Sequence, residues 1–254
     1  FFSTSDGVFR CMMLSLLNFS RNLLIALTLL LTAFFAFSAE EQSNLINEYS
    51  IKKLTAEDGF VSSEIYSIIQ DTQGFIWFGT AENGVMRYDG RKVSLFEFDS
   101  MDSKGLSHND AGNLMLDKNG QIWIGTWGGG ANIYDPKTGR FEHFIHDSHD
   151  EKSISSNRIQ SLFHDQAGDI WLGSYDRGLN RYKGDNGFER IEKVKGEAGS
   201  LSHNRIWDIE DNDESSVWVA TSLGLNLFDK TTKTFSHFLP EPENESPTGA
   251  NEIR

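Results

Sequence analysis

A chain of 254 residues with a formal net charge of −14, 23 glycines, 19 phenylalanines and only four prolines has the make-up of a turn-rich, aromatic-rich globular β protein and not of a disordered one. So acidic a balance repels phosphate backbones and argues against a nucleic-acid partner. The single cysteine, Cys11, lies near the N-terminus, so neither a disulfide nor a thiolate metal site is open to the rest of the chain.

In chain order the first feature is a targeting segment. Arg21 precedes an apolar run of 15 residues, 23–37. That length suits the core of a signal peptide and falls short of the about 20 residues that span a bilayer. Ala36, Ser38 and Ala39 supply small residues for cleavage ahead of Glu40 and Glu41. Residues 1–39 therefore read as a leader, with 1–11 ahead of the start codons that Met12 and Met13 offer. The expectation is a cleaved signal peptide and a periplasmic chain, with an uncleaved anchor as the alternative. Residues 40–57 form a polar segment in which EYSIKKL (48–54) alternates like a lone strand. It would close a ring as a clasp or sit on the edge of the first repeat.

Four repeats follow, at 58–104, 105–152, 153–199 and 200–246, with 247–254 opening a fifth. The clearest copy is 117–135, DKNGQIWIGTWGGGANIYD. Alignment on it makes Trp77, Trp123, Trp171 and Trp218 equivalent, at separations of 46, 48 and 47 residues. Turns opening with Asp71, Asp117, Asp165 and, in degenerate form, Asp211 precede them. After them come small pairs such as Gly125-Thr126, then Gly84, Gly130, Gly178 or Gly224, then a strand ending in Tyr88, Tyr134, Tyr182 or Phe228. A period of 40–50 residues built from short strands is the signature of a β-propeller with one blade per repeat. The second repeat predicts strands A to D at 111–116, 121–125, 131–134 and 140–145. The expected fold is all-β: four complete antiparallel four-stranded blades and the start of a fifth, in an incomplete ring.

The succession D-x-x-G, I-W-I-G-T, G-x-N-x-Y-D and T-G-x-F is carried by Asp117, Gly120, Trp123, Gly125, Thr126, Gly130, Asn132, Tyr134, Asp135, Gly139 and Phe141. It resembles the two-component regulator propeller repeat, over about 49–238. Blade four departs from the pattern at Glu214 and Phe228. The resemblance implies a periplasmic input module of a membrane-bound hybrid histidine kinase or diguanylate cyclase. In such receptors an immunoglobulin-like domain, a membrane helix and a cytoplasmic output follow, and the full-length receptor can pair as a homodimer. Asn251 and Ile253 fall 47 residues after Asn204 and Ile206, so the chain stops inside strand A of the fifth repeat. A seven-bladed ring would need about 330 residues. The expectation is therefore the front of a longer protein.

In a four-stranded meander the A–B and C–D turns share one face, and the B–C and D–A links share the other. The repeats agree on the first face and differ on the second. Large or charged residues that the frame does not require are the better candidates for recognition. They are Glu82, Trp127, Arg158, Tyr175, Asp176, Arg177 and Arg205. Aromatics beside charges suit a carbohydrate or another small polar ligand, because a sugar ring stacks while its hydroxyls bond. The plain alternative is a set of variable loop residues.

The repeated tryptophans read as packing between blades. His108, His203, His143 and His237 recur at fixed positions and read as structural, and the Asp-x-x-Gly turns lack the carboxylates of a calcium loop. No cofactor, metal or catalytic residue is expected, since the nucleophile-elbow, phosphate-loop and zinc motifs do not occur. Three functions remain open: a ligand-sensing propeller, a secreted lyase or glycosidase recruiting Glu82, Asp110 or Asp176, and a protein-binding scaffold.

Overall fold

A computed structural model of the chain describes residues 51, 53–101 and 104–239. The leader, the cleavage site, most of the strand expected at 48–54 and the start of a fifth blade lie outside the described residues.

Among the described residues sixteen strands form four antiparallel sheets, each a meander in chain order. The first sheet is β1 (Ile65–Gln70), β2 (Ile76–Thr80), β3 (Val85–Tyr88) and β4 (Val93–Phe96). The second is β5 (Asn113–Leu116), β6 (Ile122–Gly125), β7 (Ala131–Asp135) and β8 (Arg140–Phe144). The third is β9 (Ile159–His164), β10 (Ile170–Ser174), β11 (Leu179–Tyr182) and β12 (Phe188–Ile191). The fourth is β13 (Ile206–Asp213), β14 (Ser216–Thr221), β15 (Gly224–Asp229) and β16 (Thr234–Phe238). Each sheet is a propeller blade, and among the described residues no strand pairs the first sheet with the fourth. The first strands pack in succession, β1 against β5, β5 against β9 and β9 against β13, so they line the inner side of the fan. β5 begins at Asn113 and not at the expected Ala111, because Ala111 bridges instead to Thr80 of the preceding blade.

The core lies between blades. Trp77, Trp123 and Trp171 are fully buried, and each meets the aromatic that ends the third strand of the next blade. The ring centroids are 5.2 Å apart for Trp77–Tyr134, 4.9 Å for Trp123–Tyr182 and 5.7 Å for Trp171–Phe228. Three apolar clusters result, each drawing on two successive blades. Trp218, whose blade has no successor among the described residues, is half-buried and packs on Phe238 of its own blade.

The turns before these tryptophans are tied to them. Asp71 Oδ1 accepts the N–H groups of Gln73 and Phe75, while its Oδ2 accepts the Trp77 indole N–H at 2.8 Å. Asp117 and Asp165 bond Trp123 and Trp171 in the same way. One carboxylate thus closes a turn and also satisfies a buried indole donor, which would otherwise cost about 1–3 kcal/mol. In blade four the turn is rebuilt around Asp213, which accepts from Ser215 and Ser216.

The two ends of the blades differ in how they join. At one end, here the link face, the corner after each second strand bonds back to the approach to its own blade and, through a glycine, on to the approach to the next. Trp127 N–H donates to the Asp110 carbonyl, Tyr175 N–H to Arg158 and Ser222 N–H to Arg205. Gly84, Gly130 and Gly178 donate to the carbonyls of Asn109, Asn157 and Asn204 at 2.7, 3.0 and 2.8 Å. These glycines have positive φ, and a Cβ on Gly130 would lie 2.1 Å from the Phe144 carbonyl oxygen, so no other residue fits. At the other end, the turn face, side chains make the joints. Lys230 Nζ reaches across from blade four to Asp165 Oδ2 at 2.6 Å in an almost fully buried pair, and Lys118 donates to the carbonyls of Asp165 and Gln166.

Candidate functional site

The link face gathers five of the seven residues singled out from the sequence. Trp127 and Tyr175, at the same corner of successive blades, stand edge to face with centroids 4.6 Å apart. The Arg158 guanidinium lies 5.8 Å over the Trp127 ring, and that of Arg205 lies 4.1 Å over Tyr175. Arg205 also donates to the Tyr175 hydroxyl and lies 5.5 Å from the Trp207 ring. Asp176 accepts from Ser156 Oγ at 2.6 Å and lies 3.9 Å from Arg158. The result is a row in which guanidinium and aromatic groups alternate across blades two to four.

Glu82 and Arg177 stand apart from this row. Glu82 is exposed on blade one, close enough to Asp110 to act on its charge. Arg177 turns to Glu192, just past the last strand of blade three, at 4.0 Å.

Beside the row lies a cavity of about 450 Å³ lined by Tyr66, Asp110, Gly112, Asn113, Trp127, Ile159, Gln160 and Trp207. That volume is in the range of small-molecule pockets. Three of the lining residues share one origin. The register of the first strand slips in blades one, three and four, leaving Tyr66, Gln160 and Trp207 as the extra residue of a bulge. Gly112 holds the same place in the repeat of blade two. A bulged residue leaves the strand's alternation and re-aims its side chain, and here all four positions meet at one pocket. Tyr66 is 66% exposed, an unusual setting for a strand tyrosine. Sequence reasoning missed this set. The available signal was a repeat position reading Tyr, Gly, Gln and Trp in four otherwise similar blades.

Burial pushes the Asp110 carboxyl above the usual carboxylate range; His108 opposes the shift and Glu82 adds to it. His108 Nδ1 accepts the Asp110 N–H at 3.1 Å, and His203 does the same for Arg205 at 2.9 Å. Both histidines therefore shape the approach to the first strand. His143 and His237 each bond to the carbonyl of a preceding loop, Gly105 and Ser200.

Comparison with known proteins adds to this geometry. Comparison with curated proteins gives no match. A structure described as the extracellular domain of the hybrid two component system BT3049 from B. thetaiotaomicron superposes with a TM-score of 0.67 at 24% identity, over 75% of this chain and 26% of that one. The chain thus spans about a quarter of that relative's length. The WD40 repeats of RRP9 give a TM-score of 0.50 at 12% identity, over 69% of this chain and 51% of that one. Both likenesses concern the fold. The family described as two component regulator propeller matches residues 59–82, 105–128 and 153–176, which cover the approach, the first two strands and the corner of the first three blades. These three segments match two component regulator propeller repeats, and the fan of four sheets that contains them is part of a propeller.

Proposed function

We propose that this chain is the sensing part of an extracytoplasmic signal-transduction receptor and that its link face binds a small polar ligand. The observation that carries the reading is the row Arg158, Trp127, Tyr175, Arg205 and Trp207. The blade frame requires none of these side chains, since the backbone alone makes the joints at those corners. The extracellular two component system domain that shares the fold, together with the matched repeats, supports placement outside the cytoplasm upstream of a membrane helix. The output there would be of the histidine kinase or diguanylate cyclase type. Among the described residues no helix is long and apolar enough to cross a membrane.

A thermal-shift screen of the full chain against neutral oligosaccharides and small charged metabolites tests the reading. A stabilising compound should lose its effect in Trp127→Ala and Tyr175→Ala, while the unliganded melting temperature falls far less than on loss of a blade tryptophan. Stabilisation that persists in both variants would sink it.

A further inference from the structure

The four blades differ in sign at one position of the repeat. The repeat position that precedes Ile65, Ala111, Ile159 and Ile206 holds Glu64 in blade one, Asp110 in blade two, Arg158 in blade three and Arg205 in blade four. The backbone does the same work in blades two to four: the carbonyls of Asp110, Arg158 and Arg205 accept the N–H groups of Trp127, Tyr175 and Ser222 of their own blades. The side chains are therefore released from the frame, and they divide into an acidic half and a basic half. Glu82 lies on the acidic half with Asp110. Trp127 sits at the boundary, bonded through its backbone to Asp110 on one side and bridged to Arg158 on the other.

We infer that the pocket and the row beside it take a small zwitterion, its ammonium group set against Asp110 and Glu82, its acidic group against Arg158 and Arg205, and its carbon skeleton over Trp127. This inference rests on the reading that the link face binds a ligand, and it narrows the chemical class. An anion alone meets Asp110 and Glu82, and a cation alone meets two guanidinium groups, so a singly charged ligand is opposed at one end. A neutral sugar supplies no counter-charge to either half. Asp110 is half-buried and its carboxyl is pushed up first by burial, so an ammonium group placed there relieves an existing cost. Asp176 competes within the basic half, and it is already engaged by Ser156 and Arg158. The aromatic lining of Tyr66, Trp127 and Trp207 suits both the ammonium group and the hydrocarbon between the charges.

The test is calorimetric titration of the full chain with glycine, 4-aminobutanoate, 6-aminohexanoate and a glycyl dipeptide, each paired with its N-acetyl and its methyl-ester derivative, plus a neutral trisaccharide. The expected result is binding of at least one zwitterion, weakened tenfold or more by capping either end. Asp110→Asn should remove the discrimination against the N-acetyl derivative alone. Arg158→Gln combined with Arg205→Gln should remove the discrimination against the ester alone. Capped derivatives or the trisaccharide binding as well as the free zwitterions would overturn the inference and leave the ligand face standing. Failure of all the zwitterions to bind, with or without binding of the trisaccharide, would also overturn it. The measurements on the unaltered chain decide the matter even if a variant folds poorly.

Discussion

The turn face and the link face are built from the same four sheets, yet five aspartates of the first and one of the second are shifted in opposite directions. On the turn face the carboxyls of Asp89, Asp135, Asp213 and Asp229 are all held below the usual range by hydrogen bonds from the residues that follow them. Burial pushes Asp165 up, but bonds from Lys230, Trp171 and the Asp169 N–H outweigh it and leave it lowered as well. On the link face Asp110 is raised, with burial as the main cause. A carboxylate that closes a turn has its donors supplied by the fold. One that waits at a pocket lacks them, and its environment marks it as unfinished by the fold alone.

The largest way to break this comparison is to remove its common support. Trp123→Ala takes a fully buried side chain from the joint between blades two and three and should cost about 3–5 kcal/mol in chemical denaturation. Lys230→Ala should cost about 3 kcal/mol, because it leaves Asp165 buried without its cation. It should also flatten the acid limb of the stability profile. Asp165 has a lowered native pKa, so it contributes above the unfolded value of about 3.9 and loses that contribution as pH falls through the native value. Melting temperatures measured from about pH 2 to pH 6 in both proteins check the sign.

Asp110→Asn should act the other way. A native pKa raised above the unfolded value weakens the fold as pH climbs through it. The amide should therefore stabilise the chain at neutral pH, by less than about 1 kcal/mol after solvent screening, and leave stability below pH ~4 unchanged. A neutral-pH loss in Asp110→Asn as large as that in Lys230→Ala would erase the distinction between the faces. Of similar size is the coupling between Trp127 and Tyr175, about 0.5–1.5 kcal/mol in a double-mutant cycle, as expected of an edge-to-face pair.

Much of this molecule was legible because it repeats. Trp77, Trp123 and Trp171 could be assigned to blade packing before any coordinates, since a ligand site rarely recurs at a fixed interval. The bonds from Asp71, Asp117 and Asp165 to those indoles were not legible, although every partner was in view. A turn aspartate is fully explained by its own backbone, and nothing in the spacing shows its second oxygen aimed inward. Tyr66, Gln160 and Trp207 were missed for a related reason. A bulge is a slip between two strands, set by pairing across the sheet, and the alternation of a single strand cannot show it. Arg177 was grouped with the link-face row because it is a charged residue of a variable corner, whereas the structure turns it toward Glu192.

The joints of the link face also bear on how such a chain can change over generations. Asn109, Asn157 and Asn204 each grip the preceding blade twice, once through the carbonyl and once through the side-chain oxygen, which accepts the N–H of Phe98, His146 or Lys193 at 2.6–2.7 Å. In all three cases the bonded residues are 11 apart. The repeat length varies from 46 to 48 residues, so that variation is absorbed elsewhere while these spans keep one gauge. A segment of constant length pinned at both ends is an interchangeable cassette. Its interior can be rewritten, or exchanged between blades, without shifting the angle at which the next blade begins.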